Sequence, residues 1–355
     1  MKVAKAEQTN LWRNTVQESN VKSMSYMGRL GQFGVYLIKQ FRLLVLQSDW
    51  KVLPMSAIIA AMVSMAVGKN LFQTMEGNFQ GAFALTCVCI WNGFFNSIQS
   101  ICRERAIVKR EHRAGLHITS YVLSHIVYQF VLCAAQAAIT IIVCYNTGVN
   151  HPQYTIGGAN FTPFLFITLL LITFSADMMA LMISAIVHTQ MAAMTVMPFM
   201  LIIQLVFSGF IALPEALSDI SKLMLSKWGV QAICSISDYN NLPAVMIWNK
   251  MYSGGDNIKI MDGLTLKNTM DVITQEGMRD QVLKTLGEAQ QRADFASTVD
   301  NVVQSWSYML FFTVVFAVIT IVFLEYIDRD KREVICSLKL SFANSCISRS
   351  SPKLH

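Results

Sequence analysis

The sequence predicts an all-α integral membrane protein with six transmembrane helices. Three observations predict it. Of the 355 residues, 54% are hydrophobic and only 14% are charged, where soluble domains carry nearer a quarter. Six apolar segments each reach roughly the 20 residues that a bilayer requires. The charges gather beside those segments: seven of the eleven residues from Arg103 to Arg113 are charged, five of them basic. Such a block cannot lie in hydrocarbon. Its excess of Arg and Lys places it on the cytoplasmic side. The net charge of +6 is therefore read as topology, and no nucleic-acid partner is expected.

Residues 1–28 form a polar N-terminal tail with no apolar core, so no cleaved signal peptide is expected. Between 29 and 47, Leu30, Phe33, Leu37, Phe41 and Leu44 recur at steps of three and four. That spacing predicts an amphipathic helix along the inner membrane surface. The first span is placed at Val52 to Leu71 and the second at Phe79 to Cys102. The charged block follows and reads as a short cytoplasmic helix stopped by Gly115. The third span is Ile118 to Tyr145, long enough to tilt or project. The fourth is Phe161 to Val187 and the fifth Met191 to Leu213. A long polar loop, 214–305, separates the fifth from the sixth, Trp306 to Tyr326, and residues 331–355 form a cytoplasmic tail. In the loop, Trp228 and its apolar neighbours suggest helices at the outer surface. Val282, Leu286 and Ala289 share a helical face that caps a small outer subdomain.

With both termini inside, the inner segments hold 19 Lys and Arg against 9 outside. The cell membrane is the expected location, with lipid as a partner. Eight cysteines show no CxxC pair or metal spacing, so neither a disulfide framework nor a metal site is expected. No phosphate-binding loop, zinc-protease motif or hydrolase elbow occurs, so no catalytic residue is assigned and the chain is not expected to be an enzyme by itself. Asp177 is the one intramembrane acid. It reads either as a proton or substrate contact or as a structural Asp accepting from Ser175, Thr173 or a neighbouring helix. Asn92, Asn96 and Gln99 form a polar stripe that lines a cavity or joins helices.

These motifs together resemble the transmembrane half of G-subfamily ABC transporters, within the wider type-2 ABC permeases. The matching residues are Glu104, Glu111, Gly115, Ser120 and Tyr121, the stretch Ser175-Ala176-Asp177-Met178-Met179-Ala180-Leu181, and Phe207-Ser208-Gly209-Phe210-Ile211, with Trp228 beyond. A Ser-Pro-x-x-Tyr that usually follows is missing. The resemblance covers residues 29 to 330 and implies a permease domain at 48–330. It makes 29–47 a connecting helix. It makes 103–117 a coupling helix that docks on an ATPase, carried by Arg103, Glu104, Arg105, Lys109, Arg110, Glu111 and Gly115. Val88, Cys89, Asn92, Gln99, Leu201, Ile202 and Leu205 would line a substrate cavity, and Phe210 and Ile211 would form its valve. ATP and Mg would sit on a partner nucleotide-binding subunit, either a separate chain or part of a longer product. A second permease chain would complete the cavity. Export of a hydrophobic or amphipathic substrate is the implied function. An ATP-independent carrier, resting on Asp177, and a sensor built on the outer loop are the alternatives.

Overall fold

A segment in lipid must satisfy its backbone polar groups internally, and a helix does so. The computed structural model describes residues 28–46, 49–209, 219–261 and 263–326. Among the described residues, the first seven helices are α1 (Arg29–Leu46), α2 (Val52–Val67), α3 (Met75–Ser97), α4 (Ser100–Arg113), α5 (Ile118–Asn146), α6 (Phe161–Ile186) and α7 (Gln190–Val206). After them come α8 (Leu225–Ile236) and α9 (Val245–Gly254). A small antiparallel hairpin, β1 (Lys259–Met261) and β2 (Leu264–Thr265), leads to α10 (Leu266–Gln275), α11 (Arg279–Glu288) and α12 (Val299–Tyr326).

Among the described residues, four runs are long and apolar enough to cross a bilayer: Met75–Arg113, which holds α3 and α4, and then α5, α6 and α12. α2 and α7 are apolar but shorter, at 16 and 17 residues. The first span therefore ends at Val67 rather than Leu71. The cause is Gly68, whose φ of 67° caps the helix in a conformation that residues with a Cβ seldom adopt. α7 likewise ends at Val206, short of Leu213, in a turn at Phe207–Gly209. Met62 and Met65 on α2, Phe199 and Ile202 on α7, and Phe311 and Val314 on α12 are exposed. Apolar surface of that extent suits lipid.

α6 is the central helix. Leu165, Leu169, Ile172, Met178 and Leu181 are fully buried along it, and α3, α5, α8 and α12 pack around it. The nearest approach is at Gly93 of α3. A Cβ there would collide with the Thr173 carbonyl oxygen and stand 2.7 Å from the Asp177 nitrogen. The helix containing Trp228 is not at an outer surface. α8 is buried over nearly its whole length and lies among α3, α6 and α12. Gly229 admits it, since a Cβ there would meet Thr86 at 2.8 Å and Ile172 at 3.1 Å. Trp228 stacks on Tyr308 of α12 at 4.0 Å, and its indole donates to the Lys222 carbonyl at 2.8 Å. Sequence alone could not place α8, because its partners lie far away in the chain.

A small unit follows α8, with its own core of Trp248, Met270 and Leu283 and with Val282 and Leu286 packed against it. The buried face of α11 turns on Leu283, and Ala289 is exposed, which corrects the predicted face.

Gly93→Ala is expected to destabilise the chain by about 1–3 kcal/mol, because the clash is with backbone. Gly34→Ala in α1, where nothing lies within 4 Å of an added Cβ, is expected to be neutral or to gain up to about 1 kcal/mol. Thermal unfolding of the purified protein in one detergent compares the two.

Candidate functional site

The charged block is helical because Ser100–Arg113 carries no proline or glycine, and it stops as the sequence predicts. The Leu116 N–H bonds the Glu111 carbonyl at 3.0 Å, while Gly115 takes a φ of 104°. That is the glycine-dependent helix stop with a six-to-one bond. α4 then presents three surfaces.

The first faces α1. Glu104 and Glu111 are two turns apart and so share a side. Glu104 is buried and accepts from Lys39 Nζ at 3.3 Å and from the Tyr121 hydroxyl at 3.2 Å. Glu111 accepts from the Tyr36 hydroxyl at 2.7 Å. Gln32 completes the row: its Nε2 donates to the Gly115 carbonyl at 3.1 Å, and its Oε1 accepts from the His117 N–H at 2.9 Å. Gln32, Tyr36 and Lys39 thus read the loop, Glu111 and Glu104 in turn, so α1 and α4 run antiparallel. Burial, then the Glu111 carboxylate, push the Tyr36 phenol well above its usual value. Tyr36 is therefore a fixed donor.

The second surface faces the C-terminal end of α6. The last carbonyls of a helix have no partner within it, and α4 supplies partners. Arg105 Nη1 donates to the carbonyls of Ala185 and Val187 at 3.0 and 2.8 Å. Cys102 Sγ donates to those of Ser184 and Val187 at 2.9 and 3.3 Å. In return, Ser184 Oγ accepts the N–H groups of Ile101 and Cys102, each at 3.1 Å.

The third surface is open. Arg103, Ala106, Ile107, Arg110 and Arg113 are exposed along one stripe. Lys109 is half-buried beside it. Of the seven residues predicted to couple, Glu104, Arg105, Glu111 and Gly115 therefore hold α4 within the chain, Arg110 is exposed, and Arg103 is exposed but also borders a cavity of the chain. Gln32, Tyr36, Lys39, Cys102 and Ser184 were not predicted. The polar face of α1 was the one sequence signal for Gln32 and Lys39.

At mid-height, Asp177 is fully buried. Its Oδ1 accepts from Ser97 Oγ at 2.7 Å, and Ser97 Oγ accepts from Gln129 Nε2 at 2.7 Å. This chain joins α5, α3 and α6. Ser175 and Thr173 instead bond the carbonyls of Ile172 and Leu169, so the neighbouring helix supplies the donor. Asn96 and Gln136 exchange both amide bonds, at 2.8 and 3.0 Å, which makes this part of the polar stripe a helix join.

The residues predicted to line a cavity do not come together. Val88 and Cys89 are buried in packing, at 2% and 1% exposure. Trp91 and Phe95 hold the open face of α3 instead. Asn92 borders a groove with Val52, Met55 and Phe95. Leu201 and Leu205 border a cleft with Trp91, and Ile202 is exposed. Gln99 lines a separate cavity of about 270 Å³ with Gln40, Arg103, His125 and Gln129. Phe210 and Ile211 lie outside the described residues.

The family model of the ABC-2 type transporter matches residues 31–237, more than half of the chain. The chain belongs to the ABC-2 type transporter family. The match runs from α1 through α8, so the buried α8 lies within the family's membrane domain. No curated protein matches the chain. As an ABC-2 type transporter chain with long apolar helices, it is an integral membrane protein and a permease component of an ABC transporter. The three-surfaced α4 is thus part of a transporter, and its basic stripe is the most exposed of the three surfaces.

Tyr36→Phe removes the donor to Glu111 and leaves a half-buried carboxylate short of one bond. A cost of about 1–3 kcal/mol is expected, seen as faster amide exchange in α1. Asp177→Asn keeps an acceptor for Ser97 in a side chain of nearly the same size, so it is expected to fold as well as the parent. Asp177→Ala strands Ser97 and opens a void, and a loss of about 2 kcal/mol or more is expected. Melting temperatures of the two variants measure the difference.

Proposed function

We propose that the chain is the permease subunit of an ATP-driven exporter of the G-subfamily type, with α4 as the element that receives the ATPase. The observation that carries this is the division of α4. Its acids and Arg105 fasten it to α1, α5 and α6, and Ile107 and Arg110 are exposed on its other side. A helix so fastened can pass a push from outside to three helices at once. The basic stripe with one apolar centre suits a partner with an acidic rim and an apolar pocket.

In this reading ATP and Mg bind the partner nucleotide-binding subunit, and this chain performs no hydrolysis by itself. Both termini and α4 are cytoplasmic, as the positive-inside rule places them. A second permease, identical or related, faces the exposed Trp91, Phe95, Ile202 and Leu205. The space between the two holds a hydrophobic or amphipathic substrate.

The test is co-purification in mild detergent. Reversing Arg110 to Glu is expected to reduce recovery of the ATPase subunit by about tenfold or more, with insertion and melting temperature unchanged. Recovery of the partner at the parental ratio from that variant would sink the assignment of α4.

A further inference from the structure

At the opposite end of α3 from α4 lies the larger of the described cavities, about 470 Å³, within the range of about 300–1,000 Å³ usual for small-molecule sites. Its walls come from the first turns of α3 (Glu76, Phe79, Gln80), from Tyr239 and Met246 flanking the start of α9, and from Gln290 to Arg292 after α11.

Arg292 is the centre of this place. Its guanidinium lies over the Phe79 ring at 5.0 Å and the Phe295 ring at 5.4 Å. Phe79, Tyr239 and Phe295 form a mutual aromatic set, with ring centres 5.1 to 6.3 Å apart. The backbone is pinned as well. Arg292 N–H donates to Asn240 Oδ1 and Asn240 Nδ2 donates to the Arg292 carbonyl, each at 3.1 Å. Gln291 Nε2 donates to the Asn240 carbonyl at 3.2 Å. Yet among the described residues no carboxylate pairs with the guanidinium and no acceptor bonds it. A guanidinium carries a fork of five donors suited to planar oxyanions, and here it lies exposed over two rings with the fork turned to no acceptor among the described residues.

Glu76 lines the same cavity but does not compete. Its Oε2 accepts the Val245 N–H at 3.1 Å and its Oε1 the Met246 N–H at 2.8 Å. Both oxygens are taken by the first turn of α9, where the helix dipole offsets the negative charge. Of the remaining walls, Phe79, Tyr239 and Met246 are apolar or aromatic, and Gln80, Gln290 and Gln291 are polar. The cavity therefore offers one cation, a spent carboxylate, an aromatic and apolar side of Phe79, Tyr239 and Met246, and three amides.

We propose that this cavity binds an amphipathic anion, a carboxylate or phosphate on an apolar stem, with Arg292 holding the oxyanion and Phe79, Tyr239 and Met246 covering the stem. The occupant can be a soluble amphiphile or an anionic lipid headgroup, since both present that chemistry. The site stands on its own geometry and does not depend on α4 or on the ATPase.

The test uses the full chain in nanodiscs of a neutral lipid, with empty nanodiscs subtracted and binding read by saturation-transfer NMR. The probes are phenylacetate and phenyl phosphate, and benzyl alcohol is the uncharged control. On the unaltered chain the two anions are expected to bind saturably and to displace each other, while benzyl alcohol displaces neither. Equal competition by benzyl alcohol overturns the proposal before any variant is made. Arg292→Gln is then expected to weaken both anions by about tenfold or more, and Arg292→Lys to retain part of the affinity. Unchanged binding in Arg292→Gln also overturns it. A role for Arg292 in packing alone would lower the melting temperature without ligand and leave the preference for anions intact. Adding anionic lipid to the nanodisc assigns the source: displacement of both probes identifies a headgroup, and their persistence a soluble amphiphile.

Discussion

The bundle depends on two backbones meeting. Gly93 has no side chain, so α3 can lie against the Thr173–Asp177 stretch of α6. Small residues drive association in lipid by allowing such contact, since apolar burial gains little where the solvent is itself apolar. The same seating brings Ser97 to Asp177 and, through Ser97, Gln129 to both. The remaining helices pack around this pair. α8 enters beside Thr86 and Ile172, and α12 closes over it with Tyr308 on Trp228.

The charges near α4 do different work from the charges of a soluble surface. Those on the inner side are consumed. Lys39, Tyr36 and Gln32 hold the acids and the loop, and Arg105 with Cys102 closes the open end of α6. Each bond is modest, but they share one rigid element, and breaking one leaves a partner stranded in a poorly solvated place. α1, α4 and the end of α6 are thus joined as one body. Its remaining freedom is to move together with whatever contacts the exposed arginines.

Much of this was legible in the sequence, and the reasons differ by element. α1, α5 and α6 begin at the predicted residues and end within one of the predicted ends, because long apolar runs with clear period leave little choice. α2 and α7 came out shorter, because a turn residue outweighs apolar composition. The spacing of Glu104 and Glu111 told that they share a side, but not where that side points. The answer lay in Gln32, Tyr36 and Lys39, far earlier in the chain. Val88 and Cys89 were misplaced for a related reason. α3 is apolar around much of its circumference, and its one polar stripe, at Asn92 and Asn96, does not tell which of the apolar faces packs and which stays open. α8 mixes Ser, Gln and Gly with apolar residues, a pattern that also fits a helix lying at a surface.

The unequal heights of the helices shape the lipid as well as the protein. α5, with 29 residues, is about 43 Å long, whereas α2 and α7 are about 24 and 26 Å. Both short helices border Phe95, so they stand on the same side of α3. The hydrocarbon layer is about 30 Å thick and meets there a wall too low for it. Lipid tails beside α2 and α7 must shorten or splay to cover it. A membrane drawn down to these two helices is thinner there than beside α5, and a molecule dissolved among the tails has a shorter path to the protein on that side.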